Sequence, residues 1–134
     1  KLSSFLELGS AIGTKLYIAN KWLNFKKVTG IEINKKYCNL SKKLLPKATI
    51  LNEDILESNI IHEYDVVYSY IPIRGEGKEF DRKFIKFVID KMKDNSFFVF
   101  KGVVVPFVVI NKISKTKINE ISFAGGIQIR KYKD

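Results

Sequence analysis

The order of apolar runs in this 134-residue chain predicts an alternating α/β fold built on a mostly parallel sheet. Three observations carry that expectation. The run Phe5-Leu6-Glu7-Leu8 stops in a small-residue turn, Gly9-Ser10-Ala11-Ile12-Gly13, and passes directly into a helical pattern. Further apolar runs at 28–34, 48–55 and 64–72 each end in an acidic or a polar and aromatic position. Helical spacing occupies the segments after the first, second and fourth runs, as a sheet of crossover connections requires.

The first turn is the most informative element. Glycine at 9 and 13 and alanine at 11 let the backbone approach a ligand that larger side chains would hold off. The N–H groups at the following helix start face the same point. Turns of this kind also serve packing alone. The segment 15–25 places Leu16, Ala19, Asn20 and Leu23 at helical spacing. The second run carries Glu32, 23 residues after Gly9. In a doubly wound sheet the second strand lies beside the first, so a carboxylate at its end can accept hydrogen bonds from both hydroxyls of an adenosine ribose. Asn34 is the expected N-cap of a helix running to Leu45, with Tyr37, Cys38, Leu40, Ser41, Leu44 and Leu45 on its inner face and Pro46 as its stop.

The third run ends in Asp54-Ile55, an acid to hold an adenine amino group and an apolar residue to cover one face of its ring. Glu53 and Glu57 read as its solvated companions. The fourth run ends in Ser69-Tyr70-Ile71-Pro72. After a charged loop, Phe80, Phe84, Ile85, Val88, Ile89 and Met92 form a helix stripe. Ser96 to Lys101 follows as a fifth strand, apolar on both faces as an interior parallel strand is. The segment 103–115 is ambiguous: its valines favour a strand, while Pro106 followed by Val109, Ile110 and Ile113 allows the short helix an alternating fold requires. Gly125-Gly126, between apolar runs at 118–124 and 127–132, signals a hairpin and an antiparallel final pair.

Taken in order, these pieces resemble the class I S-adenosylmethionine-dependent methyltransferases, across nearly the whole chain. Glu7-x-Gly9-x-Ala11-x-Gly13 is similar to that family's acid-x-Gly-x-Gly-x-Gly loop with one glycine replaced by alanine. Thr14 stands where a nicotinamide-dependent dehydrogenase would want its third glycine. The resemblance implies a three-layer α-β-α Rossmann-like sandwich with a seven-stranded, mostly parallel sheet in the order 3-2-1-4-5-7-6, strand 7 being antiparallel. It also implies S-adenosylmethionine as cofactor and S-adenosylhomocysteine as product. Glu7 and the backbone of Gly9 would orient the methionine end, Glu32 the ribose and Asp54 with Ile55 the adenine, with Ser10, Ala11, Gly13 and Ile33 as further cofactor-binding positions. Ser69 would border the methyl group, and Tyr70 would line the acceptor channel as the candidate catalytic residue.

The loop after the fourth run departs from the family members that methylate exocyclic amino groups of bases, which carry Asn/Asp/Ser-Pro-Pro-aromatic. Here one proline is missing and Ile73 replaces the aromatic. Protein, RNA of another kind and small molecules stay open as acceptors. The helix that commonly lids the cofactor is not found ahead of the first run. Removed upstream residues, a minimal enzyme completed by a partner subunit or an oligomer, and a noncatalytic cofactor- or nucleic-acid-binding module with the same fold are the readings this leaves.

Composition bounds the rest. The length fits one domain, residues 1–134, and 46% apolar content supports a core. The longest apolar stretch, 97–110, is interrupted by Lys101, Gly102 and Pro106 and is shorter than the roughly 20 residues that span a bilayer. No membrane association and a cytoplasmic location are expected. Cys38 is the single cysteine and His62 the single histidine, so an internal disulfide is excluded and no zinc-type ligand set is offered. The net charge of +10 is uneven: +8 over 1–48, −5 over 49–80 and +7 over 81–134. Such a field draws RNA, DNA or an acidic protein surface. Lysine outnumbers arginine 21 to 3, which A/T-rich coding also produces, leaving solvated surface as the duller account.

Overall fold

The computed structural model describes residues 1–72, 77–122 and 128–132, with side chains described through residue 120 outside 73–76. Eight strands form one sheet: β1 (Ser4–Leu8), β2 (Lys27–Ile31), β3 (Thr49–Leu51), β4 (Val66–Tyr70), β5 (Ser96–Lys101), β6 (Val108–Ser114), β7 (Lys117–Ser122) and β8 (Gln128–Tyr132), in the order 3-2-1-4-5-6-7-8. The helices are α1 (Thr14–Lys21), α2 (Lys35–Leu44) and α3 (Lys78–Lys91), with 3₁₀ turns at Ile55–Glu57 and Ile61–Glu63. The first five strands pair in parallel, which brings their C-terminal ends to one edge.

Side-chain alternation separates the layers. Phe5, Val28, Ile50 and Val66 point to the face covered by α1 and α2, where Leu16, Ala19 and Cys38 meet them. Leu6, Leu8, Ile31, Val67, Phe98 and Phe100 point to the opposite face, covered by Phe84, Val88, Ile89 and Met92 of α3 and its C-terminal cap. The expected three-layer Rossmann-like arrangement is present. Asn34 caps α2 as its position suggests, its Oδ1 accepting from the N–H groups of Lys36 and Tyr37. The inner face of α2 is narrower than expected: Cys38 and Ser41 are buried, while Tyr37, Leu40 and Leu44 are exposed. The first helix is also shorter than its pattern, ending at Lys21 and leaving Trp22 and Leu23 in solvent.

The sheet departs from expectation on its C-terminal side. It has eight strands rather than seven, and β6 pairs directly with β5 instead of strand 7 being inserted between 5 and 6. The reversed strands are β6 and β8, and β7 runs with the first five. The cause lies in residues 102–107. A parallel crossover needs about a dozen residues or more, so the chain has to turn back. Asp81 of α3 fixes that turn, its carboxylate accepting from the N–H groups of Val103, Val104 and Val105. The valine-rich segment then continues as strand, and the short helix allowed for 103–115 does not form. The antiparallel β7–β8 pair is as the sequence suggests; Gly125-Gly126 lies outside the described residues. Among the described residues, no helix is long and apolar enough to cross a membrane.

Candidate functional site

A cleft of about 920 Å³ opens at the C-terminal ends of β1, β2 and β4. Its floor is the turn after β1. Gly9 at φ +79° and Gly13 at φ +89° occupy the left-handed region that favours glycine, and Ala11 does so at φ +47°. The N–H groups of Gly9 and Ser10 both donate to the Ile31 carbonyl, and the Ser41 hydroxyl donates to the Ala11 carbonyl, so the turn is tied to β2 and α2. Gly30 makes this approach available: a Cβ there would fall 2.5 Å from Ser10 Oγ and 2.6 Å from Leu16 Cδ1.

Of the residues expected at the site, Glu7, Gly9, Ser10, Ala11, Glu32 and Tyr70 line the cleft together. Glu32 is buried at the end of β2, one carboxylate oxygen accepting from the Ala11 N–H and the other from the Asn34 N–H, both at 2.8 Å. These bonds fix the carboxylate at the rim of the turn, with lone pairs left for further donors. Asn52 steadies the same strand end by donating to the carbonyls of Glu32 and Ile33. Glu7 is 3% exposed, and its Oε2 has no hydrogen-bond partner; Ser10 Oγ is likewise buried and unpartnered. Burial pushes the Glu7 carboxyl up to about 8, Lys15 pulling it down and Glu32 pushing it further up. Glu7 and Ser10 both line the cleft, and a buried carboxylate oxygen left without a donor there is what a polar ligand would satisfy; the Ser10 hydroxyl packs against Gly30.

The other expected residues stand outside the cleft wall. Gly13 packs against α2, where a Cβ would meet Leu45 Cδ1 at 2.5 Å. Ile33 is 70% exposed. Asp54 caps the 3₁₀ turn, its Oδ1 accepting from Leu56 N–H, and Ile55 Cδ1 comes within 3.8 Å of where a Cβ on Gly9 would sit, so this pair borders the turn. Ser69 is fully buried and donates to the Leu8 carbonyl, closing the β1–β4 seam. Glu53 is half-buried and accepts from the Ser58 hydroxyl rather than standing in water, whereas Glu57 is exposed.

The far wall is Tyr70, Ile71, Pro72 and Val103. Ile71 holds φ +42°, a conformation costly for a β-branched residue, with its N–H donating to the Lys101 carbonyl. Tyr70 is half-exposed, with Phe107 on one side at 6.0 Å between ring centroids and Lys15 Nζ 5.3 Å from its own. Lys15 and Val103 line the cleft without being expected there, and Tyr37, expected on the inner face of the second helix, lines it as well. Lys15 lies in the helix-start segment that does carry a signal, but Val103 enters only because Asp81 folds the 102–107 turn toward the cleft.

Neither protein-family models nor curated protein sequences give a match to this chain. Solved structures do. An amino pentose methyltransferase from Micromonospora echinaspora, solved with S-adenosylmethionine bound, aligns over 100% of this chain and 67% of its own at 14% identity and a TM-score of 0.66. An RNA methyltransferase from Salinibacter ruber, in complex with S-adenosylhomocysteine, aligns over 72% of this chain and 63% of its own at 18% identity and a TM-score of 0.59. The plantazolicin methyltransferase BpumL, with a pentazolic desmethyl analogue and S-adenosylhomocysteine, aligns over 73% of this chain and 38% of its own at 22% identity and a TM-score of 0.60. The chain thus spans roughly two fifths to two thirds of the length of these structures, whose acceptors differ from one another.

Proposed function

From the premise that this chain has the class I methyltransferase fold, we propose that it binds S-adenosylmethionine in the cleft above β1, β2 and β4 and transfers the methyl group to an acceptor, leaving S-adenosylhomocysteine. The observation that carries the reading is the pair of buried, unpartnered polar atoms, Glu7 Oε2 and Ser10 Oγ, beside the Gly9–Gly13 turn and the anchored Glu32 carboxylate. Glu7 would take the ammonium of the methionine end, Glu32 the ribose hydroxyls, and Asp54 with Ile55 the adenine. When bound, the cofactor supplies a methyl group already activated on a cationic sulfonium. The protein's part is then alignment and exclusion of water. Tyr70 and Pro72 form the wall on which an acceptor would rest. With the Ser69 hydroxyl committed to the Leu8 carbonyl, Tyr70 is the side chain there able to orient an acceptor's proton.

Titration calorimetry with S-adenosylhomocysteine tests this reading. Saturable heat is expected for the unmodified chain, and Glu32→Ala should weaken binding by roughly 1.5 to 3 kcal/mol while Glu57→Ala leaves it unchanged. Folded protein that gives no heat and no rise in melting temperature at saturating ligand would sink it. A noncatalytic binding module predicts the same heats but no transfer of labelled methyl to protein, RNA or small molecules.

RNA is the partner class we favour. Lys21, Lys26, Lys35, Lys36, Lys42, Lys43 and Lys47 are all exposed on and around α1 and α2, and none makes an ion pair among the described residues. Exposed Tyr17, Trp22 and Tyr37 lie among them, and the sole acid between 14 and 47, Glu32, is buried. Lysines with interleaved aromatics suit a phosphate backbone and stacked bases. Single-stranded oligonucleotide affinity should fall by roughly 0.7 log units per log unit of salt for each phosphate neutralised. No oligonucleotide binding at low salt, with capture of an acidic protein instead, would replace RNA by that partner.

A further inference from the structure

We infer that Lys15 anchors the carboxylate of the cofactor's amino-acid end, so that Glu7 and Lys15 together receive an α-amino acid zwitterion. The inference rests on the cofactor reading above and supplies the ionic contact that reading leaves open. Lys15 lies in the first turn of α1 and lines the cleft. Among the described residues it makes no ion pair, and its ammonium rests over the Tyr70 ring at 5.3 Å, a contact readily exchanged for a carboxylate.

The electrostatics of the cleft require such a group. Two buried acids, Glu7 and Glu32, line it, and they suit an ammonium and ribose hydroxyls but repel a carboxylate carried on the same carbon as that ammonium. Lys15 is the cation whose charge already acts on Glu7, opposing the effect of burial there. Gly13 caps α1 without a side-chain hydrogen bond, so the first-turn N–H groups add positive potential beside Lys15. A lysine in a cleft for a cationic sulfonium would weaken binding unless it met the anionic end of the ligand. Its flexible four-carbon stem lets the ammonium leave Tyr70 and reach that end.

Two ligands separate the direct effect from an indirect one. S-adenosylhomocysteine carries both the amine and the carboxylate; its decarboxylated analogue, the aminopropyl thioether of adenosine, keeps the amine and the uncharged sulfur and lacks only the carboxylate. Removing Lys15 also withdraws the charge that eases ionisation of Glu7, and that indirect penalty falls on both ligands because both carry the amine. In calorimetry, Lys15→Ala and Lys15→Gln should each weaken S-adenosylhomocysteine about tenfold or more beyond any loss on the decarboxylated ligand, and Lys15→Arg should restore most of it. An equal loss on both ligands, or no loss on S-adenosylhomocysteine, overturns the carboxylate assignment and leaves the cofactor site standing. An unmodified chain that binds neither ligand overturns both. Lys15 is half-exposed, so the variants are expected to fold, and melting curves of the free proteins check this.

Discussion

Glu7→Gln should make the ligand-free protein more stable at pH 8 relative to the unmodified chain than it does at pH 4.5, by about 4 kcal/mol. The sign follows from the direction of the shift. Burial raises the folded-state carboxyl from 4.5 to about 8, so between those values the folded chain holds a proton the unfolded chain has released. Stability from this group is fully present below the unfolded value and is lost as pH rises through the folded one. Asp65 contributes in the opposite sense and elsewhere: burial raises it, but Lys93 and the backbone of Ser3 and Ser4 outweigh that and hold it well below the usual carboxylate range. Its contribution is present above the ordinary carboxylate value and fades only in stronger acid, outside the Glu7 window. Denaturant unfolding of both proteins across that window measures the difference, which cancels groups titrating alike in both. A difference that stays flat would mean that Glu7 is ionised in the folded chain.

In the proposed site the same proton is linked to cofactor binding. If an ammonium must find Glu7 ionised, S-adenosylhomocysteine affinity should rise up to about tenfold per pH unit below 8 and level off above it. Glu7→Gln should bind weakly and lose that part of the pH dependence. The buried acid costs stability at neutral pH in the free protein, and a ligand that brings an ammonium to it would offset the cost.

The first two thirds of the fold were legible because each element carries its own local signal. Asn34 before an amphipathic run, small residues after Leu8 and acids after apolar strands are patterns that neighbours in sequence are enough to produce. Glu32 was legible for the same reason: its distance from Gly9 follows from one helix and one strand, and the structure holds both at one cleft. Ser69 shows the limit. Its position near the end of β4 marks a site in the family pattern, yet within the strand the side chain is fully buried and its hydroxyl donates to the Leu8 carbonyl across the β1–β4 seam. The C-terminal strands were less legible because their order depends on a contact between residues far apart in sequence. Nothing in 103–115 announces that a carboxylate on α3 will capture its N–H groups. Gly30 was similarly hidden: it reads as a weak spot in a strand, and its use appears only once Ser10 is packed against it.

Asp81→Ala should cost about 3 to 4 kcal/mol, because three N–H groups lose a charged acceptor at once and are only partly able to turn to water. Asp81 is 1% exposed, and its Oδ2 accepts from both Val104 and Val105 at 3.0 Å while Oδ1 accepts from Val103 at 3.3 Å. The fit is close enough that a Cβ on Gly102 would overlap the carboxylate. Asn at 81 keeps one acceptor oxygen and should lose roughly half as much. The consequence for the site is specific to one wall. The turn at 102–107 places Val103 in the cleft and Phe107 against Tyr70, whereas Glu7, Glu32 and the Gly9–Gly13 turn are held by β1, β2 and α2. Denaturant unfolding should therefore show the full loss in Asp81→Ala, while S-adenosylhomocysteine affinity at a temperature where the variant stays folded changes by no more than about twofold. A variant as stable as the unmodified chain would mean that solvent replaces the carboxylate without cost. A large loss of cofactor affinity in folded protein would mean that the two walls of the cleft are coupled, and that Asp81 shapes the cofactor side as well as the acceptor side.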